Sequence, residues 1–466
     1  MKLAVILFVL MYVLIIFLPK YRMFAALGTA ALFVILGILP VQAVPGAVNW
    51  NALMMMCGTM IIVYFFIDSG MPAKIADLLL EKSGNVRTVT IYMSLFAGLI
   101  SAFIDNVATV LIVAPVAIAV CKELKISPVP MVLSIAVSSN LQGAATLVGD
   151  TTSIMLGAYA DMDFLDFFWM NGRPGIFFAV ELGALLTVPV MFVLFRNDTE
   201  KISHRGESKV KTKLPTIMLL LMITLLICAS FIPNKPDTTN GLICMALAVL
   251  MVAADAVKDR ELGDIRNSLN AVDYQTLLLL FGLFLVIEGV TQAGVIDLLA
   301  DLIASVGGSS KFILYTVIVW GSVLISAFID NIPYVATMLP VLSGIAAKTG
   351  INPCLLYFGL LTGATLGGNI TPIGASANIT GVGILRKEGY EVSFGQFARI
   401  GIPFTFVAVM GGYLLIWFLW SCAARSLFFI AQDSRASLES YMFAGTRPRP
   451  QVKPVRADHL ADLLKE

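Results

Sequence analysis

The eight residues LISAFIDN occur twice in this chain, at 99–106 and again at 324–331. The offset of 225 also pairs Val110 with Val335, Pro115 with Pro340, Val116 with Val341, Ile126 with Ile351 and Pro128 with Pro353. Further on it pairs Gly143 with Gly368, Thr146 with Thr371 and Gly149 with Gly374. One register held across such polar, Pro and Gly positions marks an internal duplication. Each octapeptide lies in the middle of an apolar stretch, 88–121 or 312–346, that is longer than one membrane span and broken at its centre.

Apolar runs long enough to cross a bilayer recur at 3–18, 23–39, 51–67, 127–158, 173–195, 214–232, 240–257, 273–290, 352–382 and 400–424. Charged residues make up 13% of the 466 residues and hydrophobic residues 58%, where a soluble protein carries about 25% charge. The chain therefore hides most of its surface in lipid, as an integral membrane protein. A net charge of +1 gives no field to gather nucleic acid. Six scattered cysteines and two histidines support neither a disulfide framework nor a metal or haem centre. There is no phosphate-binding loop, HExxH or GxSxG, so neither ATP-driven pumping nor hydrolysis has support and an enzyme is not expected.

Basic residues concentrate in the loops at 19–22, 68–87, 196–213, 258–266 and 386–399. All of these fall on one side, the cytoplasmic side by the positive-inside rule, if 88–121 and 312–346 are re-entrant hairpins. Five crossings separate the two hairpins, so the copies are expected to be inverted. This is the pattern of secondary transporters whose interrupted helices meet at the midplane. The expected organisation is a first repeat over 1–195, with hairpin 88–121 and broken helix 127–158. A basic linker at 196–213 follows, then a second repeat over 214–424, with hairpin 312–346 and broken helix 352–382. The polar, Pro-rich tail at 425–466 is expected to be unordered.

Each hairpin carries an Asp-Asn pair at its break, Asp105-Asn106 and Asp330-Asn331. A carboxylate at membrane depth costs about 2.5 kcal/mol or more and needs a partner or a task. No Lys or Arg lies in either hairpin core, so these four residues are candidate ligands for Na⁺ or sites for H⁺. Capping of the second hairpin arm by each Asp is the plainer role, and the two are compatible. Behind each hairpin, GAATLVGDTTSI (143–154) and GGNITPIGASANI (367–379) gather Gly, Pro, Thr, Ser and Asn within apolar runs. Backbone of this kind is tolerated at membrane depth only inside protein or against a cavity. Thr146, Gly149, Asp150, Thr151, Asn369, Thr371, Gly374, Ser376 and Asn378 are accordingly candidate substrate or ion ligands. Gly359, Gly363 and Gly367 form a small-xxx-small row that close helix packing would explain. Glu181 and Glu288 are weaker candidates, without counterparts in the other copy.

The doubled SAFIDN, with GGNITPIGASANITGVGILRKEGYEVSFGQFARIGIP, resembles the ion transporter superfamily over roughly 50–410. The likeness is greatest to the branch of arsenite permeases, NhaD-type sodium–proton antiporters and the melanosomal P-protein. Dicarboxylate and citrate symporters are more distant. The resemblance implies two inverted five-helix repeats, each with a hairpin and a broken helix, a homodimer, and an elevator-type movement. It carries the hairpin tips onto Asp105-Asn106 and Asp330-Asn331, and the broken-helix loops onto Thr146 to Thr152 and Asn369 to Asn378. One departure is Gly149-Asp150-Thr151-Thr152-Ser153, where many relatives have Gly-Asp-Pro-Pro-Asn. The expected function is secondary active transport driven by a Na⁺ or H⁺ gradient, in a bacterial inner membrane. The substrate would be a small inorganic or carboxylate anion, or Na⁺ exchanged for H⁺. An ion channel built from re-entrant hairpins is the alternative.

Overall fold

The computed structural model describes residues 1–81, 83–200, 208–259, 262–307 and 310–421. The tail at 425–466, and Lys82, Lys201, Arg205 and Arg260 of the basic loops, lie outside these residues. The described chain is almost entirely helical. Its one strand pair is the two-residue ribbon of Trp169–Met170 with Arg173–Pro174.

Each expected span coincides with a helix or a broken pair. Among the described residues six helices are long and apolar enough to cross a membrane: Trp50–Asp68, Asn106–Glu123, Ile176–Leu194, Thr239–Val257, Tyr274–Gln292 and Phe394–Trp420. Lys2–Phe17, Arg22–Ile35 and Leu214–Ala229 are apolar but shorter. Their outer faces carry bare hydrophobic side chains, among them Val193 at 66% and Phe418 at 79% exposure. Exposure on that scale suits lipid and not water.

The two long interrupted stretches fold as hairpins, Val86–Ser101 with Asn106–Glu123 and Lys311–Ser326 with Asn331–Thr349. The two polar-rich runs fold as broken helices, Val129–Gly143 then Thr151–Tyr159, and Pro353–Gly367 then Ser376–Lys387. The offset of 225 carries Val86–Ser101 onto Lys311–Ser326 residue for residue, and helix Trp50–Asp68 to within a residue of Tyr274–Gln292. The first halves of both broken helices form the centre of the molecule. Every residue of Pro353–Gly367 is buried, as is every residue of Val129–Gly143 except Pro130.

Some loops can be placed at a common end. Lys211 reaches Asp68 at 2.7 Å and the Ser208 N–H donates to Asp77 at 2.9 Å. The linker and the loop after Trp50–Asp68 therefore share one end. Lys235 pairs with Asp163 and so ties two other loops together.

Close packing of the second broken helix depends on its glycine row. Gly359, Gly363 and Gly367 lie against Tyr315, Val319 and Val323 of the hairpin helix Lys311–Ser326. A Cβ on Gly363 would come within 2.3 Å of the Val319 carbonyl oxygen, whereas one on Gly383 would meet nothing within 4 Å. Overpacking of this kind costs about 1–3 kcal/mol. G363A should lower the melting temperature in detergent, and G383A should leave it unchanged. Equal melting temperatures for the two variants would contradict this packing.

Candidate functional site

The four backbone breaks interlock. Asp105 is the N-cap of Asn106–Glu123, and its carboxylate accepts from the Val107 and Ala108 N–H groups at 2.9 and 3.3 Å. Asp330 caps Asn331–Thr349, accepting from the Ile332 N–H at 3.2 Å. Their backbones are alike, with φ/ψ of −45°/137° and −51°/133°. The Thr146 hydroxyl donates to the Ala102 carbonyl, and the Thr371 hydroxyl to that of Ala327. The threonine of each broken helix thus satisfies a carbonyl freed at its own hairpin tip. Gly149 and Gly374 allow this approach. A Cβ on Gly149 would lie 2.5–2.7 Å from the carbonyl oxygens of Gly143, Ala102 and Ser101. The same atom on Gly374 would meet those of Gly368, Ser326 and Ala327 at 2.5–2.8 Å.

The copies join through amides. Asn140 accepts from Asn106 at 3.1 Å and donates to the Thr365 carbonyl at 2.7 Å and to Asn369 Oδ1 at 3.0 Å. Asn369 returns a bond to the Val137 carbonyl at 3.0 Å. Thr152 donates to Asp150 at 2.8 Å and lies 3.1 Å from the Thr365 hydroxyl. Asn378 donates to carbonyls at the second break, Gly368 at 3.1 Å and Thr371 at 3.3 Å.

A cavity of about 340 Å³ opens beside this junction. Asp105, Asn106, Gly149, Asp150, Thr151, Asn331 and Ser376 line it, joined by Asp273, Thr276 and a wall of Trp50–Asp68 from Met56 to Ile67. That wall runs toward the end where Asp68 meets Lys211. The lining holds three carboxylates and no Lys or Arg. Among the described residues no three His, Cys, Asp or Glu side chains come close enough to hold a metal together. A cation at any one carboxylate would therefore complete its shell with amide, hydroxyl and carbonyl oxygens, as hard cations accept.

Seven of the thirteen expected ligands line the cavity. Thr146, Gly374, Asn369, Thr371 and Asn378 lie behind it and hold the breaks together. Asp330 requires a correction. The expectation that no basic residue reaches a hairpin tip fails there, because Arg22 pairs with Asp330. Arg22 begins helix Arg22–Ile35 and is not a free loop charge; its side chain is only 20% exposed. At fourteen residues that helix is about 21 Å long against a hydrocarbon core of about 30 Å.

Sequence reasoning also missed Asn140, Thr365 and Asp273. The offset of 225 pairs Asn140 with Thr365, a signal that was present in the polar run Ser138 to Gln142. The hub has consequences for Asn331. Its equivalent Asn106 is held by Asn140, but Thr365 stands in that place in the second copy, and the buried Asn331 Nδ2 has no partner. Glu181 has a buried carboxyl oxygen without a partner, whereas Glu288 accepts from Gln292 at 2.8 Å.

Removing Asn140 would take the side-chain partner from the buried Asn106 amide and the Thr365 carbonyl, each loss costing about 1–3 kcal/mol, while Asn369 Oδ1 keeps Asn378. N140A should therefore be strongly destabilised in thermal unfolding, more so than T365V. A melting temperature like that of the parent protein would refute the hub.

The citrate transporter family, CitMHS, matches residues 12–363 and, in a second match, 239–457. A 46 kDa membrane protein of Mycobacterium leprae is 30% identical over 426 residues, which cover 89% of this chain and 97% of that protein. The P protein of Mus musculus is 27% identical over 495 residues, covering 87% of this chain and 59% of its own. Among solved structures, the Alcanivorax borkumensis YdaH transporter is similar with a TM-score of 0.55 at 15% identity, over 83% of this chain and 88% of its own. Neisseria gonorrhoeae MtrF, described with a class of antimetabolite efflux pumps, gives 0.54 at 14% identity, over 80% and 81%. At such identities the two structures speak for the fold. The matches agree with the ion transporter superfamily resemblance of SAFIDN and GASAN and with a transporter in place of an enzyme. This chain is an integral membrane transporter that belongs to the citrate transporter family.

Proposed function

We propose that this transporter is a secondary active carrier driven by a Na⁺ or H⁺ gradient. The observation that carries the reading is the acid-lined cavity at the meeting point of the hairpin tips and broken helices. Three carboxylates with no basic lining residue favour a cation. Asp105 and Asp150 supply the charge, and Asn106, Thr151, Asn331 and Ser376 supply neutral groups. The substrate class is a small carboxylate, as the family description suggests. It binds beside the cation, with the free Asn331 amide as its donor. The acid excess also favours a second reading, exchange of Na⁺ for H⁺ without an anion.

Inverted orientation of the two copies, an elevator-type displacement and a homodimer complete the proposal. The matched helix bounds and the interlocked breaks support the first of these, since inverted repeats place their breaks together at the midplane. The wall from Met56 to Ile67 supports a cavity open toward the basic loops, on the cytoplasmic side of a bacterial inner membrane.

The test is uptake of small carboxylates or of ²²Na⁺ into proteoliposomes under an imposed Na⁺ or H⁺ gradient. Accumulation against the substrate gradient is expected. D105N and D150N should each reduce it about tenfold or more, the effect of losing about 1.4 kcal/mol of cation binding. Flux that is only downhill and at channel rates would replace the carrier reading with a pore. Full activity in both variants would remove the cation site.

A further inference from the structure

The two hairpin tips have the same backbone and the same capping aspartate but different electrostatic surroundings. Asp105 accepts from the N-terminus of one helix, and no Lys or Arg lines the cavity that it faces. Around Asp330 three helix N-termini converge. It caps Asn331–Thr349. Arg22, the first residue of Arg22–Ile35, pairs with it and also reaches Thr276 at 3.4 Å, in the first turn of Tyr274–Gln292. Ser376 adds a hydroxyl at 3.5 Å.

An arginine at the first position of a helix faces the positive end of the macrodipole, where a cation is disfavoured. Its placement, only 20% exposed, is therefore set by the carboxylate opposite and not by its own helix. Helix Thr239–Asp259 packs on Trp50–Asp68 as Arg22–Ile35 packs on Tyr274–Gln292, and it opens with Thr239 and Asn240 where the other opens with Arg22. The first tip thus has no built-in cation. Its Asn106 is engaged by Asn140, while the second tip leaves the Asn331 Nδ2, on a residue 3% exposed, without a partner beside the cavity.

We propose that Arg22 is a tethered cation occupying, at Asp330, the position that a mobile monovalent cation takes at Asp105. Arg22 is then the residue that sets coupling stoichiometry: the duplicated fold carries two tips, and only one exchanges its ion. The free Asn331 amide beside the neutralised tip is left to the substrate. This inference rests on the cation-coupled reading above for its meaning, but its test needs no substrate and reads a gain rather than a loss.

The test follows the melting temperature of the purified full chain against NaCl and LiCl, balanced with choline chloride, for the parent protein, R22K, R22Q and R22Q/D330N. A ligand that binds the native state stabilises it in proportion to the logarithm of its concentration, and each added site adds one increment of slope. R22Q should gain one site's worth of slope over the parent protein. R22K should behave as the parent, and R22Q/D330N should lose the gain. An R22Q variant that folds in Na⁺ and not in choline also supports the proposal. No added slope in R22Q, a gain that persists in R22Q/D330N, or an R22Q that unfolds in Na⁺ and choline alike overturns it. The cation-coupled reading fails separately, if the parent protein and D105N respond identically to Na⁺, Li⁺ and H⁺.

Discussion

Everything at the centre of this transporter depends on how four helix breaks are satisfied away from water. A backbone group left unpaired in such surroundings costs several kcal/mol. The chain meets that demand by setting each hairpin tip against the break of its own broken helix. Thr146 and Thr371 give their hydroxyls to carbonyls at the tips, and Gly149 and Gly374 remove the side chain that would hold the two apart. Asn140 and Asn369 then bond across the two copies. The breaks are consequently fixed, and the groups they leave over are those that face the cavity.

The duplication is close in backbone and loose in chemistry. Asp150, which lines the cavity, has Ala375 at the equivalent position, and Asn140 has Thr365. Each exchange alters charge or hydrogen bonding while the helix bounds hold. Carboxylates with no Lys or Arg among the cavity's lining thereby gather at the first tip, and an ion pair stands at the second. On the proposed function, a symmetric frame with asymmetric side chains lets the transporter hold an ion and a substrate as neighbours.

Much of this was legible in the sequence. The hairpins and broken helices followed from apolar length, Gly and Pro placement and the repeated octapeptide, and the same signals singled out Asp105, Asn106, Asp150, Thr151, Asn331 and Ser376, which the structure brings to one cavity. These signals are local, or they recur at a fixed offset. Arg22 was hidden for the opposite reason. It stands next to Pro19-Lys20-Tyr21, reads as an ordinary loop charge, and meets a partner 308 residues away. Whether Thr146 touches ligand or backbone also could not be read, because a hydroxyl in a broken helix suits both. The structure places it on the backbone, so several expected ligands hold the site's frame instead of facing its cavity.

The central claim is that the tips differ in whether their carboxylate is open to a mobile cation. Residue-resolved carbodiimide labelling, read by mass spectrometry with and without Na⁺, addresses it directly. The account predicts labelling of Asp105 and Asp150 that Na⁺ or Li⁺ suppresses, with Asp330 unlabelled while Arg22 is present. Equal labelling of Asp105 and Asp330, or labelling of Asp105 that no cation alters, would contradict it.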